Sequence, residues 1–449
     1  MMPILASAQA QGASGVPLQE GQEVFAFDGM WDLFDGLITE SLRVSPKAET
    51  PTDTPTDSLT PTETSTSTIT PTFTITLTPT ITFTRTPTRT ATVTVTPIPA
   101  CPPGSLSFEN CLEKISDSEW LISSETCELI CIDHDIVIPE GVTLTLKIAA
   151  PDDHLILNFT PVENSDCGGL CNNVAGKCEL IVAGALRTEV VGPNKILLTS
   201  EAQGKSEKGV FSPDAGNWAG IYVLDRSDDS STRIENCEIR NALVGVRFIG
   251  SSGLLRNCLI ENCLNVGVVI RDRSFPLIEG NTILNNGFGG ISVNRQSSPS
   301  IAGNIVTGHE DGVGVTVSDY SAPVFTDNTI TGNGAGVLAQ TNSAPNLGRV
   351  SFDPENDPEP DVDPPFTNDE GANTLAFNIN NLGQTVNLIN NTPNKVYAEN
   401  NNWGLSVGSE IDATIWDDDE ATLVPGLVSN PGPVDFVPIQ GEPPLPTIT

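Results

Sequence analysis

Six glycines set the frame within which this chain must fold. Gly220, Gly245, Gly267, Gly290, Gly314 and Gly336 recur at spacings of 25, 22, 23, 24 and 22 residues, and each opens a short apolar run. The first and third residues after each glycine are apolar: Ile221 and Val223, Val246 and Phe248, Val268 and Ile270, Ile291 and Val293, Val315 and Val317, Val337 and Ala339. The residue between them varies, from Tyr222 and Arg247 to Ser292 and Thr316. Alternation with period two is the signature of a strand with one buried face, so each repeat carries at least one such strand.

A second element recurs in phase with the first. Ile234 and Ile239, Leu255 and Ile260, Ile278 and Ile283, Ile301 and Val306, Phe325 and Ile330 stand five residues apart. Three residues after the first member come Cys237, Cys258, Asn281, Asn304 and Asn328; three after the second come Ala242, Cys263, Asn286, His309 and Asn333. Asn at one slot of successive coils can both donate and accept, so it can form a ladder. A leucine-rich horseshoe lacks this consensus, and a propeller blade needs a period of about 40 residues. The expected fold is all-β: a right-handed, single-stranded parallel β-helix rising ~4.8 Å per coil.

The chain here resembles the right-handed β-helix proteins of the pectin-lyase-like superfamily. Ile138-Pro139-Glu140-Gly141-Val142-Thr143-Leu144 resembles an opening coil of that group, and Gly216-Asn217-Trp218-Ala219-Gly220-Ile221 a later landmark. Pro345 to Gly348, Asn400 to Gly404, Ile411 to Asp418 and Val434 to Pro438 resemble the closing coils of a bacterial surface or secreted subfamily of unassigned function. The likeness covers about residues 135–438 and departs from the pattern in a Cys-rich insertion at 161–179 and an acidic one at 351–370. It implies fold and export; its members include lyases, hydrolases, epimerases, adhesins and inert shafts, so it does not imply one chemistry.

The flanking regions read differently. Residues 1–10 resemble the remnant of a signal peptide, with Ala8 and Ala10 at the small positions of a cleavage site. Residues 11–50 form a weakly ordered N-terminal segment, with a partner-binding helix over Val24 to Ile38 as the alternative. From Thr52 to Thr96 every even-numbered residue is Thr except Ser58, with Pro recurring between them. Residues 51–100 are therefore a disordered Thr/Pro-rich stalk, extended and suited to O-glycosylation. Residues 101–180 comprise Cys-rich N-terminal coils and an insertion, 181–438 the β-helix, and 439–449 the start of a C-terminal spacer.

Charge narrows the partners. The 449 residues hold 57 acidic against 21 basic side chains, a formal charge of −36. Such a chain repels phosphate backbones, which excludes nucleic acid as an expected partner. No run approaches the ~20 apolar residues of a membrane span. A secreted or cell-surface monomer that meets a carbohydrate polymer or a cell-wall surface is expected. Seven of the ten cysteines lie between Cys101 and Cys178, at spacings that fit no zinc site. They are read as disulfides, with Cys127–Cys131 and a pairing within Cys167, Cys171 and Cys178 as candidates. Cys237 and Cys258, at one slot of adjacent coils, are either bonded or stacked thiols.

The face after each first strand holds the candidate site. Tyr222, Asp225, Arg226, Arg247, Arg271, Asp272, Arg295 and Asp319, with Arg273 and Tyr320 beside them, make a mixed-charge stripe on adjacent coils. Solvated ion pairs, carbohydrate contact and catalysis are the three readings of that stripe. The paired-Asp and Gly-His-Gly signature of polygalacturonases and the Arg motif of pectate lyases are both missing, which favours non-catalytic binding of a glycan or surface. A polysaccharide lyase or glycoside hydrolase and a passive structural shaft are the alternatives. His309 sits in an Asn slot and reads as a turn residue, with acid–base work as the other option. Asp353, Glu355, Asp357, Glu359, Asp361 and Asp363 place an acid at every second position. These are candidate calcium ligands, although a solvated loop has the same composition. No cofactor is otherwise expected.

Overall fold

The computed structural model describes residues 106–160, 177–200, 216–348, 371–418 and 431–437. The stalk, Cys101, Cys167, Cys171 and the candidate calcium ligands at 353–363 lie outside the described residues.

Among the described residues the chain winds into three sheets of ten, ten and twelve strands. One coil shows the pattern: Val266–Arg271, then Leu277–Glu279, then Thr282–Leu284, each in a different sheet. The next coil begins at Gly289–Val293, which pairs in parallel with Val266–Arg271. The expected register is the observed one. Ile221 faces Val246, Val246 faces Val268, Val268 faces Ile291, Ile291 faces Val315 and Val315 faces Val337. All six side chains are buried. The series from Ile234 to Phe325 and from Ile239 to Ile330 stack in the same way on the other two sheets. Each aliphatic group shielded in these stacks contributes roughly 1.5–3 kcal/mol.

The repeating glycine is a consequence of close approach at a corner. A Cβ on Gly267 would lie 2.9 Å from the carbonyl oxygen of Gly290, and one on Gly290 would lie 2.6 Å from that of Gly314. No side chain fits there, so glycine holds the position from Gly220 to Gly336, with Glu179 and Asn387 in the coils at either end.

Hydrogen-bonded ladders line the interior turns. Asn304 Oδ1 accepts from the backbone N–H of Asn281 at 2.9 Å and from its side-chain amide at 3.0 Å. Asn304 in turn donates to Asn328 at 3.0 Å and to the Ile278 carbonyl at 2.8 Å. Asn328, Asn373 and Asn401 continue the row. A third ladder, of serines, joins Ser251, Ser274, Ser297 and Ser321 through backbone N–H to Oγ bonds of 3.1 Å.

His309 belongs to the second Asn row. Its Nδ1 lies 2.7 Å from Asn333 Oδ1, and its Nε2 lies 3.3 Å from the Asn286 amide nitrogen. The network assigns the proton to Nδ1, leaving Nε2 to accept. Burial holds the imidazole down to a pKa of about 4, against the counteracting hydrogen bond that its Nδ1–H donates to Asn333 Oδ1. Protonation would also set an N–H against a donating amide. The contribution of the neutral ring is therefore complete above the unfolded pKa of about 6.5 and is lost as pH falls toward about 4, roughly 3 kcal/mol in all. Urea midpoints measured across that window should fall more steeply for the native chain than for His309→Asn, whose amide restores the ladder without a titrating group.

The cysteines correct one expectation. Cys127 is bonded to Cys111, at the end of the short helix Phe108–Cys111, and not to Cys131. Cys131 lies in the strand Leu129–Ile132 and is itself disulfide-bonded. The extended strand Leu129–Ile132 carries Cys131 away from Cys127, which pairs with Cys111 instead. Cys178 is a buried thiol in no disulfide, so it is not the partner of Cys167 or Cys171. Cys237 and Cys258 are stacked, not bonded: both are free, and the Cys237 N–H donates to Cys258 Sγ at 3.4 Å. Among the described residues no helix is long and apolar enough to cross a membrane.

Candidate functional site

The sequence places its candidates in one stripe; the structure divides them between a strand face and a corner. Tyr222 and Arg247 are on the strand face. Tyr222 is 2% exposed and packs with Ala219 and Leu243, so it cannot offer a ring to a ligand. The Arg247 guanidinium lies over that ring, 4.5 Å from its centre, and donates to the Ala219 carbonyl at 3.2 Å. Alternation places both residues outward, and there the half-buried Arg247 covers the ring of Tyr222, which makes Tyr222 a packing residue.

The corner that follows the strand gathers the others. Asp272, Arg273, Arg295, Gln296, Asp319 and Tyr320 line a groove of about 440 Å³. They come in pairs from three successive coils. Backbone bonds from Arg273 N to Arg295 O at 3.0 Å and from Gln296 N to Asp319 O at 2.8 Å hold the pairs one above another. Arg295 Nη1 and Arg271 Nε each lie 3.4 Å from an oxygen of Asp272. The Arg273 Nε donates to Gln296 Oε1 at 3.0 Å. Tyr320 is the last residue lining the groove and is 64% exposed. Asp225 occupies the same slot two coils earlier, with Gly250 between it and Asp272. Arg226 is exposed beside it, and neither lines the groove.

The backbone at this corner is unusual. Asp272, Arg273, Arg295, Gln296, Asp319, Tyr320, Thr341 and Asn342 all have φ between 51° and 62°, in the left-handed region. Each non-glycine residue held there costs of order 1 kcal/mol. The other two corners fill the equivalent slot more cheaply, with Asn236, Asn257, Gly280 and Gly303 at one and Asn241, Asn262, Asn285, Gly308 and Gly332 at the other; Asp327, Ala372 and Phe377 are the exceptions. Among the described residues only the groove corner keeps Arg, Gln and Tyr side chains in consecutive strained pairs.

The remaining polar faces carry plain ion pairs. Arg256 sits between Glu235 at 3.4 Å and Glu279 at 2.5 Å, and Arg240 lies 2.8 Å from Glu261. Such half-exposed pairs contribute little and need no ligand. Among the described residues no group of His, Cys, Asp and Glu is placed to hold a metal ion. His134 bridges Glu109 at 2.8 Å and Asp133 at 3.0 Å, near the Cys111–Cys127 bond and well apart in sequence from the groove.

Residues 214–352, which include all the groove residues, match the family model described as a right-handed β-helix region. The solenoid is a right-handed parallel β-helix. No curated protein matches the chain. Among solved structures, the β-helix is similar to the periplasmic alginate epimerase AlgG and to a point mutant of it, at 12% identity and a TM-score of 0.28. Those alignments cover 75% of this chain and 83% of the other. A superposition that loose bears on no residue of the groove.

The sequence signal for Gln296 was present but unread. It stands six residues after a repeat glycine, the slot that also holds Arg226, Arg273, Tyr320 and Asn342. Composition gave no hint of the left-handed conformation at Arg273, Arg295, Gln296 and Tyr320, because Arg, Gln and Tyr are not residues that usually adopt it.

Proposed function

We propose that this chain is a secreted or cell-surface β-helix that binds a carbohydrate polymer at the corner groove and does not turn it over. The observation that carries the reading is the set of strained pairs: side chains retained at a backbone cost, on successive coils, around an open groove. Backbone strain concentrates where function maintains it. An exposed tyrosine face suits the apolar side of a sugar ring, and Arg, Gln and Asp supply donors and acceptors for its hydroxyls. Asp272 already faces two guanidinium groups. That leaves it suited to orientation and poorly placed for the proton transfer of a lyase or hydrolase, which needs a carboxyl group in reach of the reacting atom.

The test is a panel of neutral and charged polysaccharides, scored both for retention of the full chain and for release of reducing ends or unsaturated products. Retention without product is expected, with Tyr320→Ala weakening retention about tenfold or more at an unchanged melting temperature. Product that disappears in Asp272→Asn would replace this reading with an enzyme. Retention of nothing would leave a structural shaft.

A further inference from the structure

We infer that the ligand of the groove is an uncharged, extended glycan lying along the helix axis, with about one sugar per coil and Tyr320 beneath one ring. This rests on the carbohydrate-binding reading and goes further by fixing the charge, direction and length of the ligand.

Direction follows from the corner. The lining residues are three stacked pairs, 272–273, 295–296 and 319–320, held in one line by coil-to-coil backbone bonds. The Tyr320 N–H donates onward to the Thr341 carbonyl at 3.2 Å, so the row continues past the groove into a fourth pair, Thr341 and Asn342, in the same left-handed conformation. The groove therefore runs parallel to the axis, and its chemistry repeats every ~4.8 Å. That step is close to the advance per residue of an extended, β-linked polysaccharide. A ligand wrapped around the helix would instead meet the strand face, where Tyr222 is buried. The volume of about 440 Å³ lies in the range of small-ligand sites, ~300–1,000 Å³, which suits a few sugar rings and not a single one.

Charge follows from the pairing. The lining holds two carboxylates, Asp272 and Asp319, and two guanidinium groups, Arg273 and Arg295. Arg295 is turned onto Asp272, and Arg273 donates to the neutral Gln296. The groove is thus balanced within itself, inside a chain of formal charge −36. A polyuronate would approach against the field of the whole protein and would have to break the Arg295–Asp272 pair to be neutralised. A neutral glycan meets neither obstacle. Planar guanidinium, amide and carboxylate groups, alternating up the corner, match the vicinal hydroxyls of such a chain.

The experiment is calorimetric titration of the full chain with neutral β-linked oligosaccharides, cello- and xylo-series from disaccharide to hexasaccharide, beside oligogalacturonates of the same lengths, at low and high salt. Affinity should rise about tenfold or more from disaccharide to tetrasaccharide and then level off, with little change with salt. Oligogalacturonate binding that vanishes at high salt, with no neutral binding, would overturn the inference while leaving the carbohydrate reading intact. A disaccharide bound as tightly as a hexasaccharide would overturn the extended arrangement alone. Failure of every oligosaccharide and of the polymer panel would overturn both.

Discussion

Val268→Asp should yield no cooperatively folded protein. Val268 is fully buried in the central stack, between Val246 and Ile291 on the neighbouring coils. A carboxylate there would have no cation or hydrogen-bond donor, and the cost of burying it, several kcal/mol or more, is comparable to the ~5–15 kcal/mol that stabilises a whole domain. Val269→Asp, one residue on, points to the opposite face, where the side chain is half-buried, and should keep the fold with a much smaller loss. Far-ultraviolet circular dichroism and a thermal melt of the two variants distinguish them. Equal behaviour would mean that the strand is out of register, because a slip of one residue exchanges the two faces.

Asn304→Ala should lower stability by roughly 3–6 kcal/mol, a large effect for one uncharged residue. Its side chain accepts from both the backbone and the amide of Asn281, and donates to Asn328 and to the carbonyl of Ile278. Removing it strands buried polar groups on both neighbouring coils, each at a cost of about 1–3 kcal/mol. Thr307→Ala, on the outward side of the next strand, should change the urea midpoint by less than about 0.5 kcal/mol equivalent. A small loss for Asn304→Ala would mean that the ladder relaxes by admitting water, and that the Asn rows are not what holds the coils in step.

The stacks and ladders were legible because they depend on two short-range rules, period-two alternation and repetition at one slot. The Ile, Val and Leu series, the Asn rows and the place of His309 all follow from them. The serine row was equally regular in sequence, but serine is common in turns and its spacing alone does not separate a ladder from solvated loop. Tyr222 was misplaced for a different reason. Alternation says which side of a strand a residue takes; it does not say whether that side is covered, and here Arg247, Ala219 and Leu243 cover the ring. Cys127 follows the same logic: its partner Cys111 is brought close by the fold, whereas the nearer cysteine in sequence is held away by an extended strand. The strained corner was illegible because Arg, Gln and Tyr carry no left-handed signal; only their contrast with the Asn and Gly at the other corners gives the site away.

That contrast supplies the most direct test of the central claim. Glycine adopts the left-handed region without strain, so Arg295→Gly and Tyr320→Gly should relieve the corner as they remove the side chains of the groove. The melting temperature of the doubly substituted chain and its retention by the polysaccharide that the native chain binds should be measured together. The account predicts a melting temperature equal to or above the native value, with binding reduced tenfold or more. A lower melting temperature with binding retained would contradict it, and would make the corner a structural device instead of a binding groove.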